Sequence, residues 1–198
     1  MSNATKRLRF VPVLAMLLLT AACTSGDGSR GGAGPTGFAA TTGAASGNPI
    51  FVTAVGTGSL VADNSVLRYT VVPGLTATVT VPAGTQYSLL VETDGGIQLN
   101  SDEPNDYGFT DIAVFVDGVQ VGAERRIAVM NNAKVLHSVG SFGFSVLTSV
   151  GAGTHTVTVR AKKFSTLFAD CYVSSSAGGS VLPGNPQLQA VLNIIAFQ

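Results

Sequence analysis

Apolar and polar residues alternate through most of the chain after residue 49, and this pattern leaves few folds open. Between residues 76 and 81 apolar residues alternate with threonines, and residues 154–162 repeat the pattern with threonine, arginine and lysine. A period of two places every apolar side chain of a strand on one face. The sequence therefore predicts half-buried β-strands that expose threonines and cations on their other face.

The strand signals continue to the end of the chain and are separated by Gly- and Pro-containing turns. Asp117-Gly118 lies between two apolar runs and predicts a tight hairpin turn. No segment after residue 49 shows a helical period over ten residues, and roughly nine to eleven short strands favour an antiparallel two-sheet β-sandwich, jelly-roll-like, over residues 49–198. The last run, Leu188–Phe197, is apolar at nearly every position after Ala190. This predicts a strand covered on both faces.

The N-terminal region has the features of an export signal. Three basic residues precede an apolar run from residue 11 to residue 19, which small residues then connect to Cys23. Such a segment is a signal helix that is removed from the mature protein. Residues 24–48 are mostly Gly, Ala, Ser and Thr and have little to bury, so they predict a flexible, disordered tether. The predicted organisation is a signal at 1–22, a tether at 23–48 and a domain at 49–198.

The segment Leu19-Thr20-Ala21-Ala22-Cys23 resembles the lipobox of bacterial lipoproteins. This resemblance implies cleavage before Cys23 and lipid on its thiol, with fatty acids such as palmitate. The family usually has an aliphatic residue where Thr20 stands, and ordinary signal peptidase would also accept these small residues. Thr24 follows the cysteine where an inner-membrane retention signal would have Asp. The resemblance therefore implies a cell-envelope protein attached to an outer membrane.

The predicted domain is similar in style to jelly-roll domains of bacterial surface proteins. The similarity rests on Gly151-Ala-Gly-Thr-His-Thr-Val-Thr-Val before a final apolar strand. C1q/TNF-like domains are one such relative, and this similarity implies a homotrimer. The Gly-Pro tether is too short to be a trimerising stalk, so we expect a monomer, with the homotrimer as the alternative.

Charge and cysteine content exclude some functions and leave others open. The chain has 11 basic and 11 acidic residues, and three of the basic ones precede Cys23, so 8 remain against 11, a net charge of −3. No like-charge run favours nucleic acid as a partner. If Cys23 carries lipid, Cys171 has no partner within its chain. It is then a buried thiol or forms an intermolecular disulfide; without lipid, a Cys23–Cys171 bridge is the alternative.

Six of the eleven acidic residues lie between residues 92 and 111. Calcium takes six to eight oxygen ligands, and Asp94, Asp102 and Asp106 are candidate ligands in this loop-like stretch. The spacing matches no EF-hand, and Asp and Asn are also ordinary turn residues. We therefore expect a solvated loop, with calcium as the alternative.

The sequence contains no convincing catalytic set. His137 and His155 belong to no metal-binding motif. Asp111 and Asp117 would lie about 20 Å apart on one strand, which is too far for a glycosidase pair. The predicted function is a non-catalytic binding, adhesion or structural module whose partner is a glycan or an envelope protein. The alternative is a carbohydrate-active or other hydrolytic envelope enzyme with its site at 92–111.

Two other features relate to binding. The outward threonines at 76–80 and 154–158 would suit ordered water or a saccharide, although threonine is also common on any exposed strand. Tyr69 and Tyr87 are predicted to face inward, which leaves Tyr107 as the exposed aromatic residue expected to contact a ligand.

Overall fold

The structure is a computed structural model, and it describes residues 48–174 and 188–198. The predicted signal, Cys23 and nearly all of the predicted tether lie outside these residues. The described part contains the following strands: β1 (Ile50–Val55), β2 (Leu60–Ala62), β3 (Thr70–Val81), β4 (Tyr87–Asn100), β5 (Tyr107–Val116), β6 (Val119–Met130), β7 (Val139–Val150), β8 (Gly153–Lys163), β9 (Asp170–Val173) and β10 (Val191–Phe197). In this part of the chain no helix is long and apolar enough to cross a membrane.

The strands form two antiparallel sheets. Sheet A has the order β1-β10-β4-β7, and the short strands β9 and β2 extend it beside the second half of β4. Sheet B has the order β3-β8-β5-β6. After β3 the chain passes to sheet A for β4 and returns to sheet B for the β5–β6 hairpin. It then crosses to sheet A for β7, back to sheet B for β8, and again to sheet A for β9 and β10. This is the jelly-roll arrangement, so the predicted all-β sandwich is confirmed.

The core consists of the apolar side chains that alternation places between the sheets. Tyr87, Leu89 and Val91 of β4 face Ile112 and Val114 of β5, and all are fully or almost fully buried. Each large apolar side chain buried in this way contributes roughly 1.5–3 kcal/mol. The inward faces predicted for these strands are confirmed. The hairpin at Asp117-Gly118 is also confirmed, because both residues have positive φ angles, 50° and 82°.

The inward direction predicted for Tyr69, just before β3, is wrong. Val72 is fully buried, whereas Val71 is 36% exposed and Tyr69 lies on the outer side of sheet B. The cause is an irregularity in the pairing with β8 between Val71 and Thr76. Gly74 lies inside it with a φ of +84°. Extra residues in one strand reverse the side to which the preceding residues point. Tyr69 is thereby placed on the outer surface.

The last strand is interior to its sheet, but its two faces differ. Leu192, Ile194 and Ala196 are buried, while Phe197 remains 38% exposed. The prediction that both faces of this strand are covered is therefore wrong for the described residues. Its outer residue Ile195 belongs to a row that runs across sheet A in register, through Phe51, Ile195, Leu90 and Leu147. Whether the protein is a monomer or a homotrimer stays a prediction.

Candidate functional site

The outer face of sheet B carries the largest concentration of functional groups. Because Ile112 and Val114 of β5 point into the core, Asp111 and Phe115 point outward. The register places Asp111 opposite Arg126 of β6 on one side and opposite Lys162 of β8 on the other. Three strands thus bring one acidic and two basic side chains together.

Asp111 is at the centre of an ion network. Its carboxylate is fully buried and accepts two hydrogen bonds from Arg126, at 2.7 Å from Nε and 3.0 Å from Nη2. Lys162 Nζ lies 3.6 Å from the same carboxylate and 3.4 Å from Glu124. A buried carboxylate is tolerated when cations and hydrogen bonds compensate for its lost hydration. Two carboxylates and two cations therefore form a set without net charge.

Tyr69 completes the network by donating a hydrogen bond to Glu124 Oε2. Burial, followed by this hydrogen bond, raises the pKa of the Tyr69 phenol. The same bond, with a smaller effect from Lys162, lowers the pKa of Glu124. At neutral pH the phenol is therefore a fixed neutral donor and Glu124 is a fixed anion.

Aromatic rings flank this network on both sides. Tyr107, Phe109, Phe164 and Phe168 form one cluster, with neighbouring ring centroids 4.7–6.2 Å apart. The Arg126 guanidinium lies 3.5 Å over Phe164. On the other side Tyr69 meets Phe115 edge to face at 5.1 Å. Rings and charges in contact hold one another in place.

We call the following set the sheet B surface: Tyr69, Tyr107, Phe109, Asp111, Glu124, Arg126, Lys162, Phe164 and Phe168. Tyr107 and Phe164 are 45% and 43% exposed, so ring area is open to a ligand. The sequence prediction that Tyr107 is exposed is confirmed. Tyr69, predicted to face inward, belongs to this outer set instead.

A depression of about 510 Å³ lies on the outer side of sheet A. Its lining includes Gly95, Gly96 and Gly143, and Asp94 is the one charged residue among the described residues that line it. Its wall includes Leu188, the first described residue after the gap at 175–187. Charges and rings do not converge there, so we assign the candidate site to the sheet B surface.

The predicted calcium ligands are distributed over two elements. Asp94 is exposed on strand β4, while Asp102 and Asp106 lie in the loop that follows this strand. Asp102 pairs with His137 at 2.7 Å, and Asp106 accepts a hydrogen bond from the Ser101 hydroxyl. Within residues 48–174 and 188–198, no group of three or more His, Cys, Asp or Glu residues is arranged to hold a metal ion. The solvated loop stays the prediction, with calcium binding as its alternative.

Other titratable residues lie outside the surface. Asp117, in the hairpin turn, pairs with His155 at 2.7 Å; this contact lowers the pKa of Asp117 and raises that of His155. Cys171 is buried in the sandwich, and burial raises its pKa to about 11. It forms no disulfide among the described residues. Neither group contributes to the network around Asp111.

Comparison with known proteins adds a distant likeness of fold. No protein-family model matches the chain, and no curated protein matches it. The chain is similar to a solved structure described as the EclA C-terminal domain, a sugar-binding protein, with 13% identity, 68% of this chain and 79% of that chain covered, and a TM-score of 0.30. It is also similar to a family 35 carbohydrate binding module from Clostridium thermocellum, with 11% identity and a TM-score of 0.25. That match covers 73% of this chain and 97% of that chain. The likeness concerns the fold alone.

Proposed function

We propose that this protein is a non-catalytic binding module that holds a saccharide on the sheet B surface. The observation that carries the proposal is the ion network around Asp111, fixed between two groups of aromatic rings, of which Tyr107 and Phe164 are exposed. A sugar ring has apolar C–H faces and a rim of hydroxyl groups. Aromatic faces match the apolar C–H faces, and charged groups that donate and accept hydrogen bonds match the hydroxyl groups. Because these side chains already hold one another, little ordering entropy is lost on binding.

The arrangement of the carboxylates argues against glycoside hydrolysis. A glycosidase needs one carboxyl group that donates a proton and a second that acts as base or nucleophile across the substrate. Asp111 has no exposed surface and is engaged by Arg126 and Lys162. Glu124 has a lowered pKa, which does not suit a general acid. These features favour a network that holds a ligand over one that transfers a proton.

A glycan array with the purified protein tests the proposal. We expect binding that the double variant Tyr107→Ala/Phe164→Ala weakens by about tenfold or more, because loss of a central ring contact typically costs over ~1 kcal/mol. Phe51→Ala is the matched control, since Phe51 is also an exposed phenylalanine but lies on sheet A, 62% exposed. It should bind as the wild type does.

The same assay also tests the alternative that the protein is a hydrolytic enzyme. Bound glycans should be recovered intact, without newly released reducing ends. Release of product by the wild type and its loss in Asp111→Asn would establish a hydrolase instead. Unchanged binding by the double variant would contradict the sheet B surface as the site.

We further propose that lipid on Cys23 anchors the module in the cell envelope, at an outer membrane. The support is the lipobox-like sequence that ends at Cys23. Each buried methylene contributes about 0.8 kcal/mol, so two or more acyl chains give stable attachment. Fatty-acid labelling should mark the wild type and Cys171→Ala but not Cys23→Ala. A wild type that carries no label would contradict the anchor and favour cleavage by ordinary signal peptidase.

A further inference from the structure

Two rows of threonines face each other on the outer side of sheet B. Thr76, Thr78 and Thr80 of β3 lie directly opposite Thr158, Thr156 and Thr154 of β8. All of them are exposed except Thr158. The predicted outward direction of both rows is confirmed. We call these six residues the threonine ladder.

The threonine ladder is continuous with the sheet B surface. Thr158 lies opposite Phe115 of β5, and the next outward residues along β8 are Arg160 and then Lys162 of the ion network. Lys162 lies eight positions after Thr154, so at about 3.3 Å per residue the strip is about 26 Å long. It extends well beyond the area that one sugar ring covers.

Arg160 lies in the middle of this strip and is its unpaired cation. Its guanidinium is 4.4 Å over the Phe115 ring, and its Nε donates to Thr158 Oγ1 at 3.1 Å. Arg126 and Lys162 each contact a carboxylate, but no described carboxylate lies within ion-pair distance of Arg160. Two guanidinium nitrogens, held by the ring and Thr158, are thus left for an incoming group. A carboxylate bonded by both matches this geometry.

We propose that the strip binds an extended acidic polysaccharide, with a uronic-acid carboxylate on Arg160 and neighbouring sugar hydroxyls on the threonine ladder. This inference rests on the proposed saccharide site and extends it along β8. The ladder repeats every ~7 Å along a strand, and its hydroxyls both donate and accept hydrogen bonds. The ion network has no net charge, so the charge preference of the strip comes from Arg160.

Calorimetric titration of the full-length mature protein tests this inference. The probes are galacturonic-acid oligomers from monomer to hexamer and neutral cello-oligosaccharides of the same lengths. Affinity should rise with length and be higher for the acidic series. Arg160→Gln should weaken binding of the acidic hexamer by roughly 10- to 100-fold, the effect of losing a charge-assisted hydrogen-bond pair. Thr78→Val/Thr156→Val, which keeps the side-chain shape, should reduce hexamer affinity toward that of the dimer.

Two other residues of the same chain provide matched control substitutions. Arg125→Gln removes another arginine, which lies over Phe144 and away from the strip, and Thr53→Val removes an exposed threonine of sheet A. Neither should change affinity, and every variant should keep the wild-type circular dichroism spectrum at the temperature of the titration. Equal affinity for acidic and neutral oligomers, or for dimer and hexamer, overturns the extended acidic ligand while leaving the saccharide site. Absence of binding to every saccharide here and on the array overturns both.

Discussion

Replacing Gly74 with alanine should destabilise the protein by about 2–5 kcal/mol. Gly74 has a φ of +84°, and an added Cβ would lie 2.4 Å from Val55 O and 2.5 Å from Thr57 N. The left-handed backbone costs a non-glycine residue about 1–2 kcal/mol, and overpacking against the backbone adds about 1–3 kcal/mol. Both neighbouring atoms belong to the main chain, so they cannot rotate away. Urea unfolding monitored by circular dichroism measures the change.

Gly84→Ala is the matched control for this substitution. Gly84 has a φ of +77°, but nothing lies within 4 Å of the position of its added Cβ. Only the backbone term applies, so the expected loss is about 1–2 kcal/mol. An equal loss of unfolding free energy in the two variants would show that the close approach of Val55 and Thr57 to Gly74 does not affect stability.

The Asn131→Ala variant should lose about 3–5 kcal/mol of unfolding free energy. Asn131 is fully buried, and its side-chain amide donates to Ser101 O at 2.7 Å and to Glu103 O at 3.1 Å. Its side-chain oxygen accepts from the backbone N–H of Ser138 at 3.0 Å. Alanine leaves these three main-chain groups without a partner, at about 1–3 kcal/mol for each group that stays buried. The loop with Asp102 and Asp106 is among the segments that Asn131 holds.

The neighbouring Asn132 provides the comparison. It is exposed, and its side chain accepts hydrogen bonds from the backbone of Lys134 and Val135 within one turn. Water replaces such bonds, so Asn132→Ala should lose about 0.5–1 kcal/mol. Hydrogen exchange should also accelerate at residues 101–106 in Asn131→Ala alone. Equal protection of this loop in both variants would contradict the role of Asn131.

The fold class could be predicted because alternation is a local property of the sequence. Each run such as residues 76–81 or 154–162 shows which side chains face the core, and the structure agrees. The prediction failed at Tyr69. Gly74 allows a change of register between β3 and β8, and the alternation of apolar and polar residues does not reveal such a change. Gly74 within a strand-like run was the available signal, since glycine in a strand often marks a bulge.

The candidate site was mostly inaccessible to sequence reasoning. Asp111 was recognised as acidic, but its partners Arg126 and Lys162 are 15 and 51 positions away. They meet it only through the pairing of β5 with β6 and β8. Alternation shows which way a side chain points and not which strand lies beside it. Tyr107 was identified because it follows a polar loop directly.

The burial of Cys171 has a chemical consequence. Thiolate is the form that reacts with oxidants and alkylating reagents, and a pKa of about 11 leaves about one thiolate in ten thousand at pH 7. The Sγ atom also lies under Gly108, only 2.5 Å from where a side chain would begin at that glycine. In an oxidising compartment the folded domain thus keeps its thiol out of disulfide exchange. The rate at which a thiol reagent modifies Cys171 consequently measures how often the structure around β9 opens.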